Sequence, residues 1–347
     1  MSVITPGGYE VAASLIGRWV QAVFYAPFDV PWAVSRVVRQ LSPALFVVLE
    51  TELWPNLLHL LSRSGARVVL VNGRLSDRSI GRYRRLRLFF AWVLSHFDRI
   101  LVQTERDAER FQQIGASPAC VEVLGMAKFD QATERLSKEQ RNALRHELKL
   151  PEVAPVWVVG STRLSEEERI VIEAYRQARL ELPDLVLVHA PRHIERADEV
   201  AELMRAAGLH PVRRTALSEV EGPVEQLILD TLGELANVYA VADVAFLGNS
   251  LIPPGGGQNL LQALAQGKPV LYGKYTSNFR DVVAMAEAAG VGWCVQNAEE
   301  LARSVVSLIR DREMLATIAE RAWQLVQIHR GAASRYAQAM AELMQSL

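Results

Sequence analysis

A chain of 347 residues with 50% hydrophobic and 22% charged side chains is globular, and it is too long for one ordinary core, so about two domains are expected. The formal net charge of -1 gives no global field to gather nucleic acid, and two cysteines without a CxxC pair or a Cys/His cluster exclude a disulfide scaffold and a structural zinc. No apolar run approaches the ~18 residues of a membrane span and the first residues are no signal peptide, which predicts a soluble chain or one at most peripheral to a membrane.

In chain order, Ser2 to Thr5 is β-prone and runs through Pro6-Gly7-Gly8 into a helical pattern over Tyr9 to Ile16, as if a βα unit were entered part-way. Leu45 to Leu49 reads as a buried strand, with Glu50-Thr51-Glu52 at its carboxyl end and an apolar helix from Trp54 to about Ser64. Open α/β sheets place their ligand crevice at that edge, so Glu50 and Glu52 are a candidate catalytic or electrostatic pair; the plainer role for Glu52 is a helix cap. Arg67 to Val71 is the next strand and ends in Asn72-Gly73-Arg74-Leu75-Ser76. A long helix, Asp77 to Ser95, follows. Its packing stripe is Phe89, Val93 and Phe97, while Arg78, Arg82 and Arg85 share another face and with Arg84 and Arg87 form the most basic stretch. That face is either solvated or meets phosphates.

Arg99 to Val102 is a strand, and Thr104 with Asp107 opens a helix as a capping box. Val121 to Leu124 is another, ending at Gly125-Met126-Ala127-Lys128-Phe129-Asp130. Lys128 is placed there either to neutralise a departing phosphate or as a surface lysine. The polar stretch Gln131 to Ala154, with a helix capped by Ser137 and Gln140, reads as the junction between domains at 1–150 and 151–347.

A second alternating series follows. Trp157 to Val159 ends in Gly160-Ser161-Thr162-Arg163, with a helix capped by Ser165 and Glu168; Leu185 to His189 ends in Pro191-Arg192-His193. Leu227 to Leu229 ends in Asp230-Thr231-Leu232-Gly233-Glu234-Leu235. Val244 to Leu247 leads through Pro253-Pro254 and Gly255-Gly256-Gly257 to a helix opened by Asn259, then to the strand Val270 to Tyr272. Val291 to Val295 is the last strand, before helices at Ala298 to Arg310, Asp311 to Ile328 and Ala332 to Ser346. Glycine N–H groups before a helix start invite a phosphate, although such a loop can also merely turn a corner. It is neither a Walker A loop nor a GxGxxG fingerprint. Arg192 is the natural clamp for a phosphate. The predicted fold is α/β, two doubly wound Rossmann-like domains facing across a cleft, which is the GT-B arrangement of nucleotide-sugar glycosyltransferases. There is no Asp-x-Asp, HExxH or zinc spacing, so no metal is expected.

FVVLETELWPN (Phe46 to Asn56), NGRLSDRS (Asn72 to Ser79), AKFD (Ala127 to Asp130), PRH (Pro191 to His193), DTLGEL (Asp230 to Leu235) and GGGQN (Gly255 to Asn259) occur in that order. Together they closely resemble the 3-deoxy-D-manno-octulosonic acid (Kdo) transferases of lipopolysaccharide assembly, across essentially the whole chain. The resemblance implies a metal-independent, inverting enzyme without a cofactor. It would move Kdo from CMP-Kdo to lipid A precursor, in peripheral contact with the anionic surface at the cytoplasmic face of the inner membrane. By motif, Glu50 and Lys128 look like the family's transition-state stabilisers, with Glu52 and Arg74 beside them. Pro191 and Arg192, Leu232 to Glu234 (with Gly233), and Asn259, Leu260, Leu261 and Gln262 look like its CMP site, with Ser161, Thr162, Gly256 and Gly257 in the same loops.

The family normally begins with a membrane-anchoring segment and a βα unit whose Gly-Glu supplies the general base. Neither is in this chain, so a missing βα unit is expected, by truncation or divergence, with impaired catalysis; Glu50 or Glu52 would be the replacement base. The family's usual His-Asn-Pro-Leu-Glu is here Gln258-Asn259-Leu260-Leu261-Gln262, and its Ser-Thr-His-Glu-Gly is Ser161-Thr162-Arg163-Leu164-Ser165. The rival expectations are a GT-B transferase for another nucleotide sugar and a silent nucleotide-binding member of the family.

Overall fold

The structure is a computed structural model that describes residues 1–345; Ser346, Leu347 and the side chain of Arg78 lie outside the described residues. The chain forms two compact units, Met1–Asp130 with Arg330–Leu347, and Gln131–His329. The division thus falls at 130/131 and not at 150/151, and the last helix belongs to the first unit. Side-chain hydrogen bonds explain both shifts. The buried Gln266 amide donates to Thr133 Oγ1 (3.1 Å) and the Glu134 carbonyl (2.7 Å) and accepts the Leu136 N–H (3.0 Å), and Lys149 Nζ donates to the Val220 carbonyl (2.6 Å), which docks residues 131–150 on the second unit. In the first unit, Tyr336 donates its hydroxyl to the Gly125 carbonyl (2.6 Å) and Arg335 Nε donates to the Leu124 carbonyl (2.8 Å).

In the first unit, β1 (Ser2–Val3) and β2 (Phe24–Tyr25) make a parallel pair of their own. The main sheet is parallel in the order β3 (Leu45–Leu49), β4 (Arg67–Gly73), β5 (Arg99–Val102), β6 (Val121–Val123). Alternation along β4 sorts its two faces: Val68 and Leu70 pack under the helices Pro31–Leu41, Pro55–Arg63, Arg87–Leu94 and Glu105–Gln113, while Val69 and Val71 pack against Tyr336, Ala339 and Leu343 of the helix Ala332–Gln345.

The second unit carries β7 (Val156–Thr162), β8 (Val186–Pro191), β9 (Val212–Arg213), β10 (Gln226–Ile228), β11 (Val244–Leu247), β12 (Val270–Tyr272) and β13 (Gly292–Cys294). They pair in parallel in the order β13-β12-β11-β7-β8-β10-β9. Val156 to Val159 are fully buried, as a central strand covered on both faces must be. From β7 the chain runs outward through β8 to β9 at the edge, fills in β10 between them, then crosses to the other side of β7 as β11. The carboxyl ends of β7 and β11 are therefore the topological switch point where such sheets take ligands.

Three local readings change. The helix expected over Asp77 to Ser95 is two, Asp77–Arg85 and Arg87–Leu94, broken at Leu86 (φ -106°, ψ 32°); Val93 and Phe97 are core, but Phe89 is 45% exposed. Ser165 does not cap a helix with Glu168: Leu164 is the N-cap of Ser165–Glu181, and Glu168 turns inward. The helix after the glycines begins at Leu261 with Leu260 as its N-cap, not at Asn259, and Asn259 just before the cap accepts the Leu261 N–H on Oδ1 (3.0 Å).

Candidate active site

The first unit's strand ends bring three sequence motifs to one edge. Glu50 leaves β3 in the left-handed region (φ 60°) and donates its N–H to the Val71 carbonyl (2.9 Å); Asn72, also left-handed (φ 56°), accepts the Ala127 N–H on Oδ1 (3.3 Å). Thr51 donates its hydroxyl to the Arg74 carbonyl. Non-glycine residues in this region carry strain that surrounding structure must over-determine, and such residues cluster at functional sites. Glu50, Arg74 and the turn Ala127–Gln131 that carries Lys128 therefore sit on neighbouring loops. Among the described residues, neither the Glu50 carboxylate nor the Arg74 guanidinium makes a hydrogen bond or ion pair; Lys128 is half-buried and engaged. Glu52 is not the cap of the following helix. The Asp29 carboxylate accepts the Asn56 (3.1 Å) and Leu57 (2.8 Å) N–H groups, and the exposed Glu52 accepts Trp54 Nε1–H (3.1 Å) instead. In AKFD, Phe129 is buried core and Asp130 caps the last helix by accepting the Gly331 and Ala333 N–H groups.

In the second unit the loop after β7 is anchored from below. Thr162 is fully buried and donates its hydroxyl to Glu168 (2.9 Å), while His189 Nε2 lies 2.9 Å from the same oxygen. The hydroxyl proton is committed to Glu168, so His189 must donate from Nε2 and keep its lone pair on Nδ1, the atom left without a partner. Burial, helped by the Arg196 charge, lowers the His189 pKa to about 3, so the ring is neutral at pH 7. Arg196 grips Glu168 with both terminal nitrogens (2.8 and 2.7 Å). Burial raises the Glu168 pKa, against the pull of Arg196 and Thr162. Gly160 must lack a side chain because a Cβ would overlap the Tyr239 hydroxyl, and a Cβ on Gly248 would stand 2.6 Å from Thr162 Cα. The two switch-point loops touch backbone to backbone.

The predicted donor residues separate into two groups. Arg192 and Arg163 are exposed, and among the described residues their side chains make no hydrogen bond or ion pair, which leaves two guanidinium groups at the sheet edge open to an anion. Leu232, 77% exposed, and the left-handed Gly233 (φ 86°) project from the loop after β10, whereas Glu234 is held by Arg214 Nε (3.1 Å) and the Thr231 hydroxyl (2.6 Å). Leu260, Leu261 and Pro191 are buried, so their side chains are not presented to a ligand; Gln262 is partly exposed. The glycine loop differs from expectation: the Gly256 N–H donates to the Tyr275 carbonyl (3.0 Å) and the Gly257 N–H to the Asn249 carbonyl (2.7 Å), so neither is open to a phosphate. Gly255, Gly256 and Gly257 all have positive φ, and backbone conformation is what requires them.

Sequence reasoning missed Asp29, Glu167 and Asn249. The run Ser165-Glu166-Glu167-Glu168 directly after a strand end was the available signal, but acids in a first helical turn usually face water. Among the described residues no group of three or more His, Cys, Asp or Glu could hold a metal ion, and no helix is long and apolar enough to cross a membrane.

Two parallel α/β units with loop-built carboxyl edges are the GT-B fold. The Anabaena protein HepE in complex with UDP shares the fold over the whole of this chain and 91% of its own (TM-score 0.56, 18% identity), and residues 218–324 match the family described as glycosyl transferases group 1. Residues 1–131 match the family described as 3-deoxy-D-manno-octulosonic-acid transferase (kdotransferase). The 3-deoxy-D-manno-octulosonic acid transferase of Haemophilus influenzae is 32% identical over 336 residues, 96% of this chain and 77% of that protein. The chain belongs to the Kdo transferase family and is a glycosyltransferase. The C-terminal CMP-Kdo-binding domain of WaaA from Acinetobacter baumannii is similar over 55% of this chain and 97% of that domain, at 27% identity and a TM-score of 0.50.

Proposed function

We propose that the chain transfers Kdo from CMP-Kdo to a lipid A precursor without a metal ion. The observation that carries this reading is the likeness to a CMP-Kdo-binding domain, joined to the unpaired guanidinium groups of Arg163 and Arg192 at the switch-point edge. In the reaction an acceptor hydroxyl attacks the anomeric carbon and loses its proton to water, the bond to the CMP phosphate breaks with its electrons on oxygen, and CMP leaves with inversion. Arg192 meets the donor phosphate, and Glu50 and Lys128 stabilise charge developing in the transition state. Cytidine monophosphate at a hundredfold its Kd is expected to add about 2.7 kcal/mol of stability, read as a rise in Tm, with uridine monophosphate adding none. Protection by uridine alone would replace CMP-Kdo with another donor.

On the same reading the basic helix lies against an anionic membrane. Arg82, Arg84, Arg85 and Arg87 are exposed, their side chains without hydrogen bonds or ion pairs among the described residues, and Leu88 (87% exposed) and Trp92 (43%) stand beside them. Guanidinium groups with neighbouring exposed apolar side chains are the chemistry of interfacial binding. Each basic residue near such a surface is worth about 1 kcal/mol, so Arg82→Glu with Arg85→Glu should weaken flotation with phosphatidylglycerol vesicles by roughly 30-fold or more. Binding that is unchanged at low salt would remove the membrane from this face.

A further inference from the structure

Glu167 lies in the first turn of the helix Ser165–Glu181, is 1% exposed, and has no place in the chemistry above. Its carboxylate accepts three consecutive backbone N–H groups, Asn249 on Oε2 (2.6 Å) and Ser250 (2.8 Å) and Leu251 (3.0 Å) on Oε1. Three converging amides around a left-handed residue, here Asn249 at φ 58°, form a concavity of the kind that holds an anion; this one is filled by the protein itself. The grip then passes outward. The Asn249 carbonyl accepts the Gly257 N–H (2.7 Å) and its Nδ2 donates to the Gly255 carbonyl (3.0 Å), so one residue spans both ends of the glycine loop. The Ser250 hydroxyl accepts the Gly273 N–H (2.8 Å), and the Ser250 carbonyl accepts the Tyr275 N–H (2.9 Å), while Tyr275 in turn accepts the Gly256 N–H. Glu168, the next residue, holds Thr162 and Arg196 on the other side of the switch point.

We infer that Glu167 is a positioning residue that sets donor affinity by fixing the loop Asn249–Gly257 at the switch point, an inference that rests on the donor site proposed above. In Glu167→Gln the amide keeps an acceptor oxygen but turns an NH2 group toward amide donors, so the clamp is lost with no change in side-chain size. The expected result is a Kd for cytidine monophosphate raised about tenfold or more, with kcat within about threefold and the acceptor KM unchanged, since the clamp acts through donor binding alone. Backbone amide exchange at residues 255–257 should quicken about tenfold or more while β7 and β11 stay protected.

Asn249→Gly supplies a second variant that keeps the left-handed backbone and the N–H donated to Glu167 and loses only the bond to Gly255. It should fold and raise the same Kd by roughly threefold. If both variants have a lower Tm but an unchanged Kd in the folded fraction and parental exchange at 255–257, Glu167 is a structural residue and the inference is overturned. If the parent protein binds no cytidine monophosphate, the donor reading falls instead. The exchange rates then still decide whether Glu167 holds the loop.

Discussion

Lys128→Ala is expected to lower kcat by about 10²- to 10³-fold, the effect of removing one group that stabilises developing charge, with the donor KM nearly unchanged. The residue is held where a cation can act at a strand end and where its loss cannot unmake the turn. On one side the Ala127 N–H is fixed by Asn72 Oδ1; on the other, Phe129 is buried and Asp130 caps the last helix through two amides. Truncation at 128 therefore leaves the backbone pinned from both directions, and Tm should move by no more than about 2 °C. Lys128→Arg should restore little, because a planar fork cannot take the place of a compact ammonium. A rate loss that tracks a fall in Tm, or appears wholly in the donor KM, would remove Lys128 from the transition state.

Arg196→Ala should have the largest effect on stability, roughly 3–5 kcal/mol, or about 10 °C in Tm for a unit of this size. The substitution strips both guanidinium hydrogen bonds from a carboxylate that is fully buried, leaving it the Thr162 hydroxyl but no opposite charge. The dependence on pH has a definite sign. Burial already holds the Glu168 pKa above its ordinary 4.5, and loss of the arginine raises it further. A carboxyl whose folded pKa is raised contributes stability that is fully present below its unfolded pKa and is lost as pH rises through the folded value. The deficit of the variant should thus be smallest near pH 4 and grow toward neutral pH. A deficit that is flat from pH 4 to 8 would mean that Glu168 is not the source. Arg196→Ala with Glu168→Gln should recover much of the loss, since the orphaned charge goes with the arginine's partner.

The strands were legible where apolar runs are continuous. Leu45–Leu49, Val244–Leu247 and Val270–Tyr272 were read to the residue, because each is a continuous apolar run that ends where polar loop residues begin, although Leu45–Leu49 is a half-exposed edge strand (Val47 38%, Leu49 57% exposed) and not the buried one expected. Two-residue strands such as β9 carry no such signal. The break at Leu86 was also invisible, since neither proline nor glycine occupies it. For the glycine triplet, the sequence showed that backbone without Cβ was needed but not what for. Its amides turn out to bond to Tyr275 and Asn249.

By itself the sequence determined the α/β class, the order of the elements, the polar strand ends that form the candidate site and, through six ordered motifs, the family. These are local or nearly local properties: a run of side chains buries or does not, and a motif is read along one loop. Only the tertiary structure decided which carboxylates are free and which are consumed. Glu167 and Glu168 look alike in the chain, yet one binds amides 82 to 84 residues away and the other an arginine 28 residues away, while Glu50 is left uncommitted. A buried charge keeps its ionised form only where partners converge on it, and that convergence is a property of how distant loops pack.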